Sequence, residues 1–267
     1  MTPGDLAESI LDGFSIRDPK DIDVEAISFD SGMQVRFRRL EGCAATLVGV
    51  GSRAIATVSP SDSPGRDRFS IGHELGHWMM HRGQSFVCRT ENVGKNEASN
   101  NVVEKAADEF SAHLLMPTQL MKVATKGLNR LAFRDVDKLG DDFSTSLLAM
   151  GFRLVKLNTF PIILTCYSSS GWEWSFRSRG VPSRWWVKKT LDSATFAHDL
   201  LNRGTQRKGA GQQSADAWFD NDDSDKYEVS EECVPYGTGR ALVLLHLSDA
   251  MLNAGYDKDL WTGRGRG

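Results

Sequence analysis

Residues 73–77 read His73-Glu74-Leu75-Gly76-His77. On a helix, positions i and i+4 project from one face, so His73 and His77 can aim imidazole nitrogens at one point. Two zinc ligands need that geometry, at roughly 2.0–2.1 Å to each nitrogen. Glu74 stands beside that point rather than on it, where a carboxylate can take a proton from an attacking water. Gly76 is a poor helix former, costing about 1 kcal/mol against Ala. A missing side chain there suits close packing beneath a metal. At average residue frequencies the pattern arises by chance in a chain of this length with a probability on the order of 1%.

The flanking sequence supplies the helix. Phe69, Ile71, Leu75, Trp78 and Met79 share a face of a helix that runs to about His81. Gln84–Asn101 reads as a polar loop. A second helix, Val102–Met116, carries the stripe Val103, Ala107, Phe110 and Leu114 and stops at Pro117, which cannot continue it. Glu104 and Asp108 stand four apart on it. One carboxylate can complete a coordination sphere while the other orients a histidine by accepting its remaining N–H. Alone, such a pair is a solvated helix face; beside the histidine pair, the metal reading prevails. Three protein ligands leave a fourth position for water, as catalytic zinc requires.

Further out, residues 4–12 form a short helix. Met33–Leu40, Ala44–Val50 and Arg53–Val58 form a small sheet, with Gly51-Ser52 as a tight turn. Thr118 to about Asn158 is helical, with Ser144 as the N-cap ahead of Leu147, Leu148, Phe152 and Val155. After Pro161 the pattern turns to strands: Ile162–Tyr167, a turn at Ser168–Gly171, then Trp172, Trp174 and Phe176 in alternation. Leu191–Leu201 is helical, Asn202–Gln213 reads as a mobile loop, and Ala241–Leu247 is a buried strand before a short helix. The expected division is 1–120, a helical connector at 121–159, an α/β domain at 160–261 and a disordered tail at 262–267.

Composition excludes more than it selects. The 267 residues carry 32 Lys+Arg against 35 Asp+Glu, a net charge of −3, so no polyanion is advertised as partner. The first twenty residues hold Asp5, Glu8 and Asp12 and do not have the shape of a signal peptide. No apolar run is long enough to span a bilayer. Cys43, Cys88, Cys166 and Cys233 have no paired spacing and are read as free thiols in a reducing compartment. The expectation is a cytoplasmic protein without a membrane segment.

Arg68-Phe69-Ser70-Ile71-Gly72 leading into His73–His77, then His81, then Glu104-Lys105-Ala106-Ala107-Asp108-Glu109-Phe110-Ser111-Ala112-His113-Leu114-Leu115-Met116-Pro117, together resemble the ImmA/IrrE metallopeptidases. The resemblance is strongest over residues 20–120 and looser to about 250. It implies an α+β, gluzincin-like (zincin-like) fold in which His73, His77 and Glu104 hold Zn2+, or manganese in the cell, and Glu74 is the general base. Asp108 is left as the orienting carboxylate. Family members typically cleave a transcriptional repressor encoded nearby, in phage, mobile-element, stress or toxin–antitoxin settings. Substrate is expected to lie as an added strand against the sheet edge at Arg53, Ala54, Ile55 and Ala56.

Some positions depart from the family. His113 stands where an acidic residue is common and is read as a packed histidine. His81 lies one turn beyond His77, about 5.4 Å along the axis, and is read as the helix C-terminal region rather than a fourth ligand. Val136–Ser144 begins a helix-turn-helix pattern without its normal turn. Asp141 and Asp142 oppose phosphate, so a degenerate, packing helix pair is expected and direct DNA binding is not. The C-terminal part resembles a GAF-like domain. Its basic, aromatic stretch Trp172–Lys189 could stack single-stranded nucleic acid, but alternation alone explains the aromatics as a half-buried strand. Two functions follow: a zinc endopeptidase acting on a protein partner, or a non-catalytic, metal-containing regulator that binds a partner or small ligand through its C-terminal domain.

Overall fold

A computed structural model describes residues 1–89, 102–202 and 209–254. Helix α1 (Pro3–Gly13) begins with a reciprocal capping box between Thr2 and Asp5. Helix α2 (Val24–Asp30) is capped by Asp23, which accepts from the Glu25 and Ala26 N–H groups. The expected small sheet follows as β1 (Met33–Phe37), β2 (Cys43–Val50) and β3 (Arg53–Val58), with Gly51 at φ 59° in the β2–β3 turn. Helix α3 (Pro64–Met80) starts on its proline, where the missing N–H costs no hydrogen bond, and ends at His81. Strand β4 (Phe86–Arg89) then returns to the sheet.

The sheet order is β1-β3-β2-β4, with β1 parallel to β3 and the other pairs antiparallel. This corrects the expected free edge. Ala54 pairs with Met33 on one side and Gly49 on the other, so Arg53, Ala54, Ile55 and Ala56 lie on an interior strand whose backbone is paired on both sides. The edge strands are β1 and β4. Strand β4 falls in the stretch read as a polar loop; the rest of that stretch, 90–101, lies outside the described residues.

Helix α4 (Val102–Leu115) stops before Pro117, and α5 (Thr118–Ala124), α6 (Phe133–Asp142) and α7 (Leu147–Leu157) follow. Ser144 is not the N-cap of α7. It turns the chain at φ 52°, and Ser146 accepts the Ala149 N–H instead. The remaining elements are β5 (Ile162–Ser168), β6 (Gly171–Arg177), α8 (Phe196–Asn202), β7 (Gly209–Ser214), β8 (Glu228–Pro235), β9 (Arg240–Leu247) and α9 (Asp249–Asn253). Their sheet has the order β6-β5-β9-β8-β7 and every pairing is antiparallel. Helix α8 is shorter than expected, and part of the expected mobile loop is β7, held by β8. The expected tail at 262–267 lies outside the described residues.

The chain divides into two compact units, Met1–Gly127 with Asp137–Met150, and Leu128–Val136 with Gly151–Gly267. Of the segment 121–159, residues 121–127 and 137–150 fall in the first unit and residues 128–136 and 151–159 in the second. In the first unit Leu47, Ala56, Leu75, Trp78, Phe110 and Leu114 are fully buried. In the second, Tyr167, Trp185, Trp218, Phe219 and Val243 form one core. Among the described residues, no helix is long and apolar enough to cross a membrane.

Candidate metal centre

Helix α3 is buried on all sides from Ser70 to Trp78. Trp78 Nε1 donates to Ser31 O at the end of α2, and Arg68 donates to Ile22 O, so both ends of the helix are fastened. The close approach of α4 depends on two glycines. A Cβ on Gly72 would stand 2.6 Å from Ser111 Oγ, and one on Gly76 would stand 3.1 Å from Phe110 Cβ and 3.2 Å from Ala107 Cα. Ser111 Oγ donates to Phe69 O, tying the helices at the same contact.

That approach lets α4 reach the histidines. Glu104 Oε2 lies 3.3 Å from His73 Nε2, and its Oε1 lies 3.3 Å from His77 Nε2. The two Nε2 atoms are 3.0 Å apart. A tetrahedral metal with bonds of about 2.0–2.1 Å has donor–donor edges of about 3.3–3.4 Å. The two Nε2 atoms, and each of them with its nearer Glu104 oxygen, therefore stand at distances close to such edges. Asp108 Oδ1 is 2.8 Å from His73 Nδ1, the arrangement that fixes a ligand histidine from behind.

The electrostatics point to a cation. Burial opposes the charged form of His73, but hydrogen bonds with Asp108 and Glu104 outweigh it and raise its pKa to about 9. Burial lowers that of His77. The hydrogen bonds with His73 and His77 hold Glu104 down at about 2. Burial pushes Glu74 up to about 7, partly offset by the charge of His73. Neither oxygen of Glu74 has a hydrogen-bond partner, although the residue is completely buried. A buried carboxylate without a partner is costly. These residues fit a bound metal: two nitrogens and a carboxylate converge, negative charge is in excess, and a free carboxylate stands beside them.

One member of the cluster was missed in the sequence. Cys88 joins His73, His77 and Glu104, with one ligand atom from each lying within 4.8 Å of the others. It was read only as one of four scattered thiols, all of which are free here. Strand β4 places it: Phe86 and Cys88 face the site, while Val87 points outward and is exposed. The Phe86 ring stacks on His77 at 4.1 Å between centroids. The Cys88 thiol lies beside Glu74 without hydrogen-bond geometry, and burial first, then the Glu74 charge, push its pKa up.

The other candidates lie elsewhere. His81 ends α3 and donates its backbone N–H to His77 O. His113 Nδ1 is 2.7 Å from Glu8 Oε1, which also accepts from the Thr118 N–H and hydroxyl, so His113 ties α1 to α4. Arg53, Ala54, Ile55 and Ala56 lie on the interior strand β3. In the second unit, Trp174 and Phe176 pack on Phe152, Arg177 stacks on Trp186, and Arg184 stacks on Trp185 and pairs with Asp223. Part of that stretch is thus engaged within the unit, while Trp172 and Trp186 remain exposed.

Two helices thus bring two histidines, one turn apart, and a carboxylate together in a group that could hold a metal ion, within a mixed α+β fold. A model of the IrrE N-terminal-like domain (Peptidase_M78) matches residues 20–155, just over half of the chain, and the chain belongs to this ImmA/IrrE family. A comparison with curated protein sequences finds no match. Among solved structures, the chain is similar to a Mycobacterium tuberculosis transcriptional regulator. The likeness covers 94% of this chain and 89% of that one, at a TM-score of 0.59 and 16% identity, and it shows the fold.

Proposed function

We propose that the protein is a zinc-dependent endopeptidase that cleaves, and so inactivates, a specific protein partner such as a transcriptional repressor encoded nearby. One observation carries this reading: His73 Nε2, His77 Nε2 and Glu104 converge at 3.0–3.3 Å while the fully buried Glu74 beside them keeps both oxygens unpartnered. His73, His77 and Glu104 hold the metal, and Asp108 holds the His73 ring in place. A bound zinc supplies a Lewis acid for the scissile carbonyl and makes water more acidic. Glu74 takes a proton from the attacking water and delivers it to the leaving amine. Strand β4 is the sheet edge beside these residues, and a substrate segment pairs with it as an added strand.

The test uses the full chain, loaded with zinc, and the product of the neighbouring repressor gene. A defined cut is expected, blocked by a chelator. Glu74→Gln retains stoichiometric zinc and loses cleavage by a factor on the order of 10²–10⁴, the usual contribution of general acid–base catalysis. A Glu74→Gln protein that cuts at the full rate would sink the assignment.

The second reading, a non-catalytic metal-containing regulator, is favoured by one observation, the fourth donor Cys88 in the cluster. Structural zinc sites are closed by four protein ligands, whereas catalytic sites keep one position open. Intact repressor in a tight complex with the zinc-loaded protein would support this reading. The all-antiparallel sheet of the second unit suits a GAF-like sensing or docking domain in either case.

A further inference from the structure

We propose that the Cys88 sulfur is a fourth protein ligand of the metal, so that the resting centre is closed and latent. This rests on the metal-centre reading above and gives it a regulatory element. Four potential ligand atoms, two imidazole nitrogens, a carboxylate oxygen and the thiol, come from α3, α4 and β4 and lie within 4.8 Å of one another. All four residues are buried, with Cys88 only 1% exposed. Pairing of Ala45 with Cys88, and of Leu47 with Phe86, holds β4 in register, and the stack of Phe86 on His77 holds it against the site.

Cys88 packs with Ala44, Phe69 and Phe86 on its apolar side, and its sulfur also reaches the group formed by His73, His77 and Glu104, where an apolar residue would offer no donor. It is a soft donor of the kind zinc accepts at about 2.3 Å. On metal binding the Sγ–H bond breaks, the Sγ–metal bond forms and the proton is released to solvent; a coordinating thiol is deprotonated outright. With two nitrogens, one carboxylate and one thiolate in place, the tetrahedron is complete. Water gains access only when Cys88 withdraws. Glu74 then has its substrate, which makes removal of the thiol an activating change.

The probe is cobalt, loaded into the metal-stripped full chain. The wild-type protein and Glu74→Gln are expected to show an intense thiolate-to-cobalt charge-transfer band in the near ultraviolet. Cys88→Ser should lose that band while still binding cobalt, and Cys43→Ser should keep it. A wild-type cobalt protein with no such band overturns the proposal, and it does so even if Cys88→Ser fails to fold. If the band is absent and the zinc protein cuts its partner, the peptidase reading stands and the fourth-ligand proposal falls. If the band is present and neither the wild type nor Cys88→Ser cuts, the fourth ligand stands and the peptidase reading falls. With both correct, zinc-loaded Cys88→Ser cleaves at least tenfold faster than the wild type.

Discussion

His73 is the residue on which the site's charge and geometry meet. Its Nε2 faces His77 and Glu104, and its Nδ1 faces Asp108, so the ring is held at both ends. A carboxylate at Nδ1 can only accept, which leaves the hydrogen on Nδ1 and directs Nε2 at the cluster. In the metal-free chain the raised pKa of His73 means that a proton occupies Nε2 as well. A metal must displace that proton, so affinity increases with pH. Asp108→Ala removes the orienting acceptor without removing a ligand. We expect zinc affinity to fall roughly 10–100-fold, as read by competition with a chromogenic chelator at fixed pH. An unchanged affinity would show that packing alone orients the ring.

The helix pair makes this possible, and its critical residue is a glycine. Gly76→Ala gains up to about 1 kcal/mol of helix propensity but places a methyl 3.1–3.2 Å from Phe110 and the Ala107 backbone. Overpacking of that kind costs about 1–3 kcal/mol, and relief requires α4 to move away, taking Glu104 with it. The expected result is a lower melting temperature together with weaker zinc binding. A variant that keeps full affinity would mean that α4 yields without displacing Glu104. Both helices were legible in the sequence, because apolar residues at 3.6-residue spacing mark them locally and Pro117 ends the second; the first turns of α3, from Pro64, were read as loop. Strand β4 was not legible. Its four residues, Phe86–Arg89, carry no period of their own and become a strand only through pairing with β2. For that reason Cys88 was invisible as a site residue, whereas His73, His77 and Glu104 could be placed by spacing within helices. The interior position of β3 was equally hidden, since it depends on β1 pairing in parallel across intervening elements.

At the level of the whole molecule, two cores with different acid–base burdens share one chain. The metal cluster belongs to the first. The second carries His246, buried in β9, with its Nε2 donating to Leu131 O at 2.7 Å. Burial lowers its pKa from 6.5 to about 4, only partly opposed by the Leu131 hydrogen bond. Its folded pKa lies below its unfolded one, so its contribution to stability is present above pH 6.5 and is lost as pH falls toward 4. The full shift corresponds to about 3 kcal/mol. Glu231 in β8 runs the other way. Burial raises it to about 7, against hydrogen bonds from the Ala197 N–H and the Trp218 indole. Its folded form holds a proton that the unfolded chain releases above about pH 4.5, so its contribution declines as pH rises from there toward 7. The two terms oppose each other over the same window, and the wild-type unit should show a shallow acid limb. His246→Gln removes one of them. Relative to wild type, the variant's unfolding free energy should rise by up to about 3 kcal/mol as pH is lowered from 7 to 4, measured by urea denaturation followed through the buried Trp185 and Trp218. Parallel stability curves for the two proteins across that range would show that His246 binds its proton as readily folded as unfolded.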